Sequence, residues 1–309
     1  MTKSMRTILD GGMGRELKRT GAPFRQPEWS ALALMETPEL VVAAHQSFIN
    51  AGAQVVTTNN YAVVPFHIGH QLFEQEGERL TALSGQLARQ AVDNISAEAT
   101  RHKVLVGGSL PPLSGSYRPD LYDADLAQEA YPRLVRALSP YVDIWQAETI
   151  SSIEEARAIV DALAGDASAG TVKPLWLAFT LTDDTTLKTP CLRSEESLQA
   201  ALDFSIEVNA EAMLFNCSIP EVITEAIRVV GPLRDEKSKA LRLGAYANAF
   251  TPRSPTAEAN SDNAPLREDL SPENYADIVA GWERNGASII GGCCGIGPEH
   301  IAVLANAYP

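Results

Sequence analysis

Short apolar runs recur along the chain, each followed by a longer segment in which apolar residues return every three or four positions. The runs are Arg6–Leu9, Gln54–Thr58, Lys103–Ser109, Val142–Thr149, Pro174–Thr180, Met213–Phe215, Arg242–Asn248 and Ala287–Ile290. Their length and apolar character are those of strands covered on both faces, as in a parallel sheet. The segments between them predict helices over Pro38–Ile49, 74–99, 125–138, 153–163, 194–208, Pro220–Val230 and Pro272–Arg284, with a last one after Pro298. Boundary signals agree: Thr37 stands as N-cap before Pro38, Ser151 or Ser152 before Ile153, and Ser271 before Pro272. Ser194-Glu195-Glu196 opens the helix that ends near Val208, and Gly52 and Gly165 follow two of the others. Residues 111–120 and 251–269 are too rich in proline and polar residues for a regular element. They predict structured loops, the first placed to act as a lid.

Eight strands alternating with helices are the signature of a (β/α)8 TIM barrel, an α/β fold, here a single domain over residues 1–309. An open, doubly wound sheet is the alternative. The placement of polar residues favours the barrel: Asp10, Asn59, Ser109, Glu148, Cys217, Asn248, Cys293 and Cys294 all fall at or just after strand ends. In a parallel barrel those ends share one face, where active sites of this fold are built. Alternation along 142–149 puts Ile144, Gln146 and Glu148 on one side and Trp145 and Ala147 on the other, which aims Glu148 inward at the end of its strand.

Composition narrows the partners. A net charge of −14 argues against nucleic acid and anionic membrane, and the 45% apolar fraction suffices for a large core. No apolar run is long enough to cross a bilayer and no secretory leader precedes the first strand, so four cysteines are expected in a reducing cytoplasm.

The candidate chemistry lies in Ile289-Ile290-Gly291-Gly292-Cys293-Cys294-Gly295. Adjacent cysteines are too strained to favour a mutual disulfide, whereas flanking glycines let both sulfurs face one point, where a soft cation such as zinc fits. Burial as small core residues is the other reading of the pair. Cys217 ends another apolar run, so a barrel could bring three thiols together and leave a fourth position for substrate. Three thiolates make zinc electron-rich and a weak Lewis acid, unsuited to activating water but suited to holding an incoming thiol as thiolate. Asp10-Gly11-Gly12-Met13-Gly14 offers amides for close approach to a ligand, and reads equally well as a plain turn with Asp10 capping an amide. Cys191 stands without a partner in sequence, and none of the five histidines has ligand spacing.

With Asp10-Gly11-Gly12-Met13-Gly14, Trp29-Ser30-Ala31, Thr57-Thr58-Asn59, Glu148-Thr149, Asn216-Cys217 and Gly291-Gly292-Cys293-Cys294 in this order, the chain resembles the zinc-dependent homocysteine S-methyltransferase family over essentially its whole length. The resemblance implies a barrel holding Zn2+ through Cys217, Cys293 and Cys294, which activates homocysteine as a thiolate and yields methionine. It further implies that Asp10 and Glu148 hold the homocysteine amino group, that amides of Gly11 and Gly12 lie near its carboxylate, and that Trp29 and Asn59 belong to the substrate site. The methyl donor it implies is a small sulfonium or quaternary ammonium compound, S-methylmethionine favoured. Aromatic faces suit such a cation, and Tyr61, Phe66 and Tyr117 join Trp29 as candidates. Asn59-Asn60-Tyr61 and the 110–119 loop depart from the patterns of S-methylmethionine and betaine users. Another thiol or selenol acceptor, or a zinc- or metabolite-binding protein without turnover, are the alternatives.

Overall fold

The computed structural model describes residues 6–95, 102–165, 172–252 and 265–307. In chain order the strands are β1 (Thr7–Ile8), β2 (Val55–Thr57), β3 (Leu105–Leu110), β4 (Ile144–Ile150), β5 (Leu175–Phe179), β6 (Ala212–Asn216), β7 (Arg242–Tyr246) and β8 (Ala287–Ile290). They form one parallel sheet in the order β1-β8-β7-β6-β5-β4-β3-β2. The remaining seam closes where Leu9 bridges Val55, with Asp10 N–H donating to the Val55 carbonyl (3.0 Å). A (β/α)8 barrel results, and the doubly wound alternative is excluded. Its core has two parts that follow strand parity. Leu9, Val55, Ile144, Trp176, Ala178, Ala212, Leu214, Tyr246 and Ile289 fill the barrel, while alternate residues such as Trp145, Ala147, Met213 and Phe215 pack outward against the helices. Ile144 lies inside and its neighbour Trp145 outside, the alternation read from the sequence.

The helices are α1 (Met13–Arg19), α2 (Ala31–Glu36), α3 (Pro38–Asn50), α4 (Pro65–Ile68), α5 (His70–Asp93), α6 (Ala124–Leu138), α7 (Ile153–Ala164), α8 (Leu198–Glu207), α9 (Pro220–Lys237), α10 (Pro272–Arg284) and α11 (Pro298–Asn306). Ser152 and Ser271 cap α7 and α10 through their hydroxyls. Two expectations need correction. Thr37 precedes α3, but its hydroxyl makes no capping bond and is buried without a partner. Ser194-Glu195-Glu196 does not start a helix: the chain folds back through antiparallel bridges Leu181 to Leu192 and Cys191 to Ser197, and α8 begins at Leu198, capped by Ser197. Glu196 instead accepts from Ile153 N–H (2.8 Å), so its charge sits at the start of α7. The helices α1, α2 and α4 fell in stretches where short length and glycine obscured the period. Residues 96–99 of the expected 74–99 helix, and 253–264 of the second loop, lie outside the described residues. No described helix is long and apolar enough to cross a membrane.

Candidate metal and substrate site

The C-terminal mouth of the barrel holds a pocket lined by Asp10, Gly11, Gly12, Trp29, Asn59, Glu148, Cys217, Cys293 and Cys294 among others. Cys217, Cys293, Cys294, Asp10, Glu148, Trp29 and Asn59, singled out in the sequence, therefore meet in one place. The sulfurs of Cys217, Cys293 and Cys294 lie within 4.8 Å of one another. Tetrahedral zinc–sulfur bonds of about 2.3 Å separate sulfurs by roughly 3.8 Å, so three soft donors at this spacing fit a single such ion. Cys217 and Cys293 resist ionisation. The bond from Cys293 lowers Cys217, but the bond to Cys294, burial and the nearby sulfur charge outweigh it and push Cys217 up to about 12. Its bonds to Cys217 and Cys294, and then burial, raise Cys293 as well.

Strand parity alone would turn Cys217 outward, with Met213 and Phe215. The chain corrects this by a left-handed residue, φ +49° at Cys217, which swings the thiol into the pocket. Thr149, after Glu148, is left-handed too, at φ +60°. Asn216 locks both: its carboxamide accepts from Thr149 N–H (2.9 Å) and donates to the Thr149 hydroxyl (2.9 Å). The ends of β4 and β6 are thus fastened together between the carboxylate and the thiol. On the other side, Cys293 N–H donates to the Ala247 carbonyl (2.9 Å), and the Cys294 carbonyl accepts from Ala249 N–H (2.8 Å). Gly295 (φ +87°) turns the chain away behind the pair. Gly12 presses against this turn so closely that a Cβ there would lie 2.7 Å from the Cys293 carbonyl and 3.1 Å from the Cys294 Cα. The Gly12 N–H donates to the Ile296 carbonyl (2.9 Å), so it is not available to a substrate carboxylate, contrary to the expectation. Its contribution is close approach.

Two buried carboxyls line the pocket. Asp10 accepts from the Thr57 amide (2.7 Å) and hydroxyl (3.1 Å), and burial raises it to about 7. Glu148 accepts from the Ser109 hydroxyl (2.5 Å), and burial raises it to about 8 despite that bond, with Asp10 and Cys217 adding to the effect. Asp10 does cap an amide, as the plainer reading had it, and still faces the pocket. Among the described residues neither carboxyl is in an ion pair with Lys, Arg or His. Two buried acids lining one pocket have the chemistry to take a cation.

A model of the family described as homocysteine S-methyltransferase matches residues 7–308. The chain belongs to that family. Homocysteine S-methyltransferase of Escherichia coli K12 is 30% identical over 96% of this chain and 93% of its own. Homocysteine S-methyltransferase YbgG of Bacillus subtilis 168 is 27% identical over 96% and 93%, and the selenocysteine methyltransferase of Astragalus bisulcatus 26% over 95% and 90%. The metallated crystal form of the E. coli homocysteine methyltransferase MmuM superposes with a TM-score of 0.79 at 27% identity, covering 99% of this chain and 97% of that one. Its apo form gives 0.72. Membership makes the chain a methyltransferase acting on homocysteine with a methyl donor, and its three-cysteine cluster a group able to hold a metal.

Family membership leaves the outer pocket to be read from the structure. Trp29 and Tyr61 line it, with Phe24 and Phe250, which the sequence did not single out, and Tyr246 below. Phe66 does not line it, packing instead against His67 and Gly115. Asn59 is buried, its carboxamide donating to the Ser30 carbonyl (3.1 Å), which ties the β2 end to the segment carrying Trp29. Phe24 and Phe250 were missed because they sit in loops without period. The signal available was an aromatic residue beside prolines, between Pro23 and Pro27 for Phe24 and just after the end of β7 for Phe250.

Proposed function

We propose that this pocket transfers a methyl group from a small sulfonium or quaternary ammonium donor, S-methylmethionine favoured, to homocysteine, with Zn2+ held by Cys217, Cys293 and Cys294. The convergence of three sulfurs within 4.8 Å beside two cation-hungry carboxyls carries this reading. Zinc bound there would supply one thing, a substrate sulfur kept as thiolate at neutral pH. The protein's own residues do the rest. Asp10 and Glu148 receive the ammonium of the amino acid, ionise as it arrives and release their protons, which fixes the acceptor's orientation. Gly11 and the turn after it lie nearest to the carboxylate. Trp29, Tyr61, Phe24 and Phe250 surround the donor with aromatic faces, which favour a cation without quenching it as a carboxylate would. They also keep water out and hold donor carbon and acceptor sulfur in line, so that proximity supplies much of the rate. A selenol acceptor is the second reading, supported by the Astragalus relative named for selenocysteine.

The test is metal analysis followed by a donor screen, with methionine as the measured product and S-methylmethionine, S-adenosylmethionine, betaine and a dimethylsulfonio carboxylate as donors. Homocysteine-dependent methionine is expected from at least one. Zinc-loaded protein that forms none from any of them would sink the proposal.

A further inference from the structure

Cys217 has a neighbour that the scheme above leaves idle. The Tyr117 hydroxyl lies 2.9 Å from the Cys217 sulfur, and Tyr117 is almost fully buried in left-handed backbone, φ +69°. Its ring is held from behind by the Arg193 guanidinium, 4.5 Å from the ring centre. Arg193 is in turn paired with Asp183 at 3.0 Å, both side chains almost wholly buried. The other Asp183 oxygen accepts from Ile219 N–H (3.0 Å), two residues beyond Cys217. The contacts close a ring from Cys217 through Ile219, Asp183, Arg193 and Tyr117 back to the Cys217 sulfur. This ring is expensive to build. Buried ion pairs add little stability on balance, and Arg193 keeps Nε and Nη1 buried without hydrogen-bond partners. What it secures is the position of one phenol on one sulfur.

That contact answers a chemical problem. A methyl donor in this pocket meets the acceptor thiolate and also the Cys217 sulfur, which lines the same cavity. Attack by Cys217 would form a Cys217 S–CH3 bond while the donor's S–CH3 bond breaks, its electron pair leaving with the donor sulfur, and would remove a ligand from the metal. A thiolate accepts hydrogen bonds and cannot donate one, so the phenol is the donor when Cys217 is ionised. A hydrogen bond to an ionised sulfur draws electron density from it and weakens it as a nucleophile. We propose that Tyr117 is a positioning residue that directs methyl transfer, its hydroxyl damping the Cys217 thiolate so that the protein's own ligand does not compete with the substrate. This rests on the three-cysteine metal reading given above.

The experiment uses the full chain with Tyr117→Phe, which keeps the ring on Arg193 and deletes only the hydroxyl. In the Co2+-loaded variant the sulfur-to-cobalt charge-transfer band is expected to move to lower energy. Fluorotyrosine at position 117, a stronger donor, should move it the opposite way and serves also if the Phe variant does not fold. Treated with iodomethane in the zinc-loaded state without acceptor, the Phe variant should gain a methyl on Cys217 about three- to tenfold faster than wild type. Peptide mapping reads this against Cys191, a free cysteine outside the pocket lining. If wild type and both variants bind metal but share one band position and one Cys217 methylation rate, Tyr117 has no such role and the proposed function stands. If wild type itself takes up neither zinc nor cobalt, the metal reading fails, and this inference with it.

Discussion

Glu148→Gln tests the proposed receptor for the ammonium group, because it should weaken homocysteine binding and strengthen the ligand-free fold at once. Burial carries this carboxyl from 4.5 to about 8 in the folded protein. Between those values the folded state keeps a proton that the unfolded chain has lost, so stability falls as pH rises through this window. At about 1.4 kcal/mol per pH unit, an ionised Glu148 in the empty pocket costs on the order of 5 kcal/mol by pH 9. Glutamine keeps the shape and can still accept from Ser109, whose hydroxyl donates to this side chain, without carrying the charge. Differential scanning across pH 5 to 9 should therefore show a melting temperature for the variant that matches wild type at the acid end and exceeds it by several degrees at the alkaline end. Binding should change in the opposite sense. Removing one buried charged contact to an ammonium is worth about 2–4 kcal/mol, or roughly 30- to 1000-fold in Kd or KM for homocysteine. Equal pH profiles, or undiminished affinity for homocysteine, would refute the argument that this acid is stored in the empty site for a cation.

Three further outcomes follow. Metal uptake must displace protons from thiols of which Cys217 lies at about 12, so apparent zinc affinity should drop as pH falls, by up to about a thousandfold per pH unit if all three protons leave; competition with a chromophoric chelator at pH 6, 7 and 8 reads this, and a flat profile contradicts it. Cys217→Ser should lower bound zinc well below one per chain, measured by elemental analysis after gel filtration, with the barrel's far-ultraviolet dichroism intact. Asn216→Ala strips Thr149 of its amide and hydroxyl partners and should cost about 2–4 kcal/mol in urea unfolding, with metal affinity reduced as Cys217 loses its fixed turn; an unchanged midpoint would show that the two strand ends are held otherwise.

The apolar rhythm by itself determined the eight strands and most of the helices, because strands covered on both faces and single-faced helices leave different periods in a sequence, while polar residues at the strand ends favoured a barrel over an open sheet. It also placed Asp10, Glu148, Cys217, Cys293 and Cys294 at strand ends, since in this fold chain order and barrel face are tied together. The tertiary structure decided what depends on backbone turns and packing between distant segments. Alternation would have sent Cys217 outward, and only its left-handed turn, locked through Asn216, brings the thiol to the tandem pair. Gly12 proved to be a close-packing residue with its amide already bonded, which spacing could not reveal. Glu195-Glu196 has the charge pattern of a helix start, yet the 181–197 excursion places Glu196 at the start of a different helix and carries Arg193 onto Tyr117. Local sequence sets the period of each element. Which side chain finally meets which is fixed by contacts between residues tens to hundreds of positions apart, and those exist only once the barrel has closed.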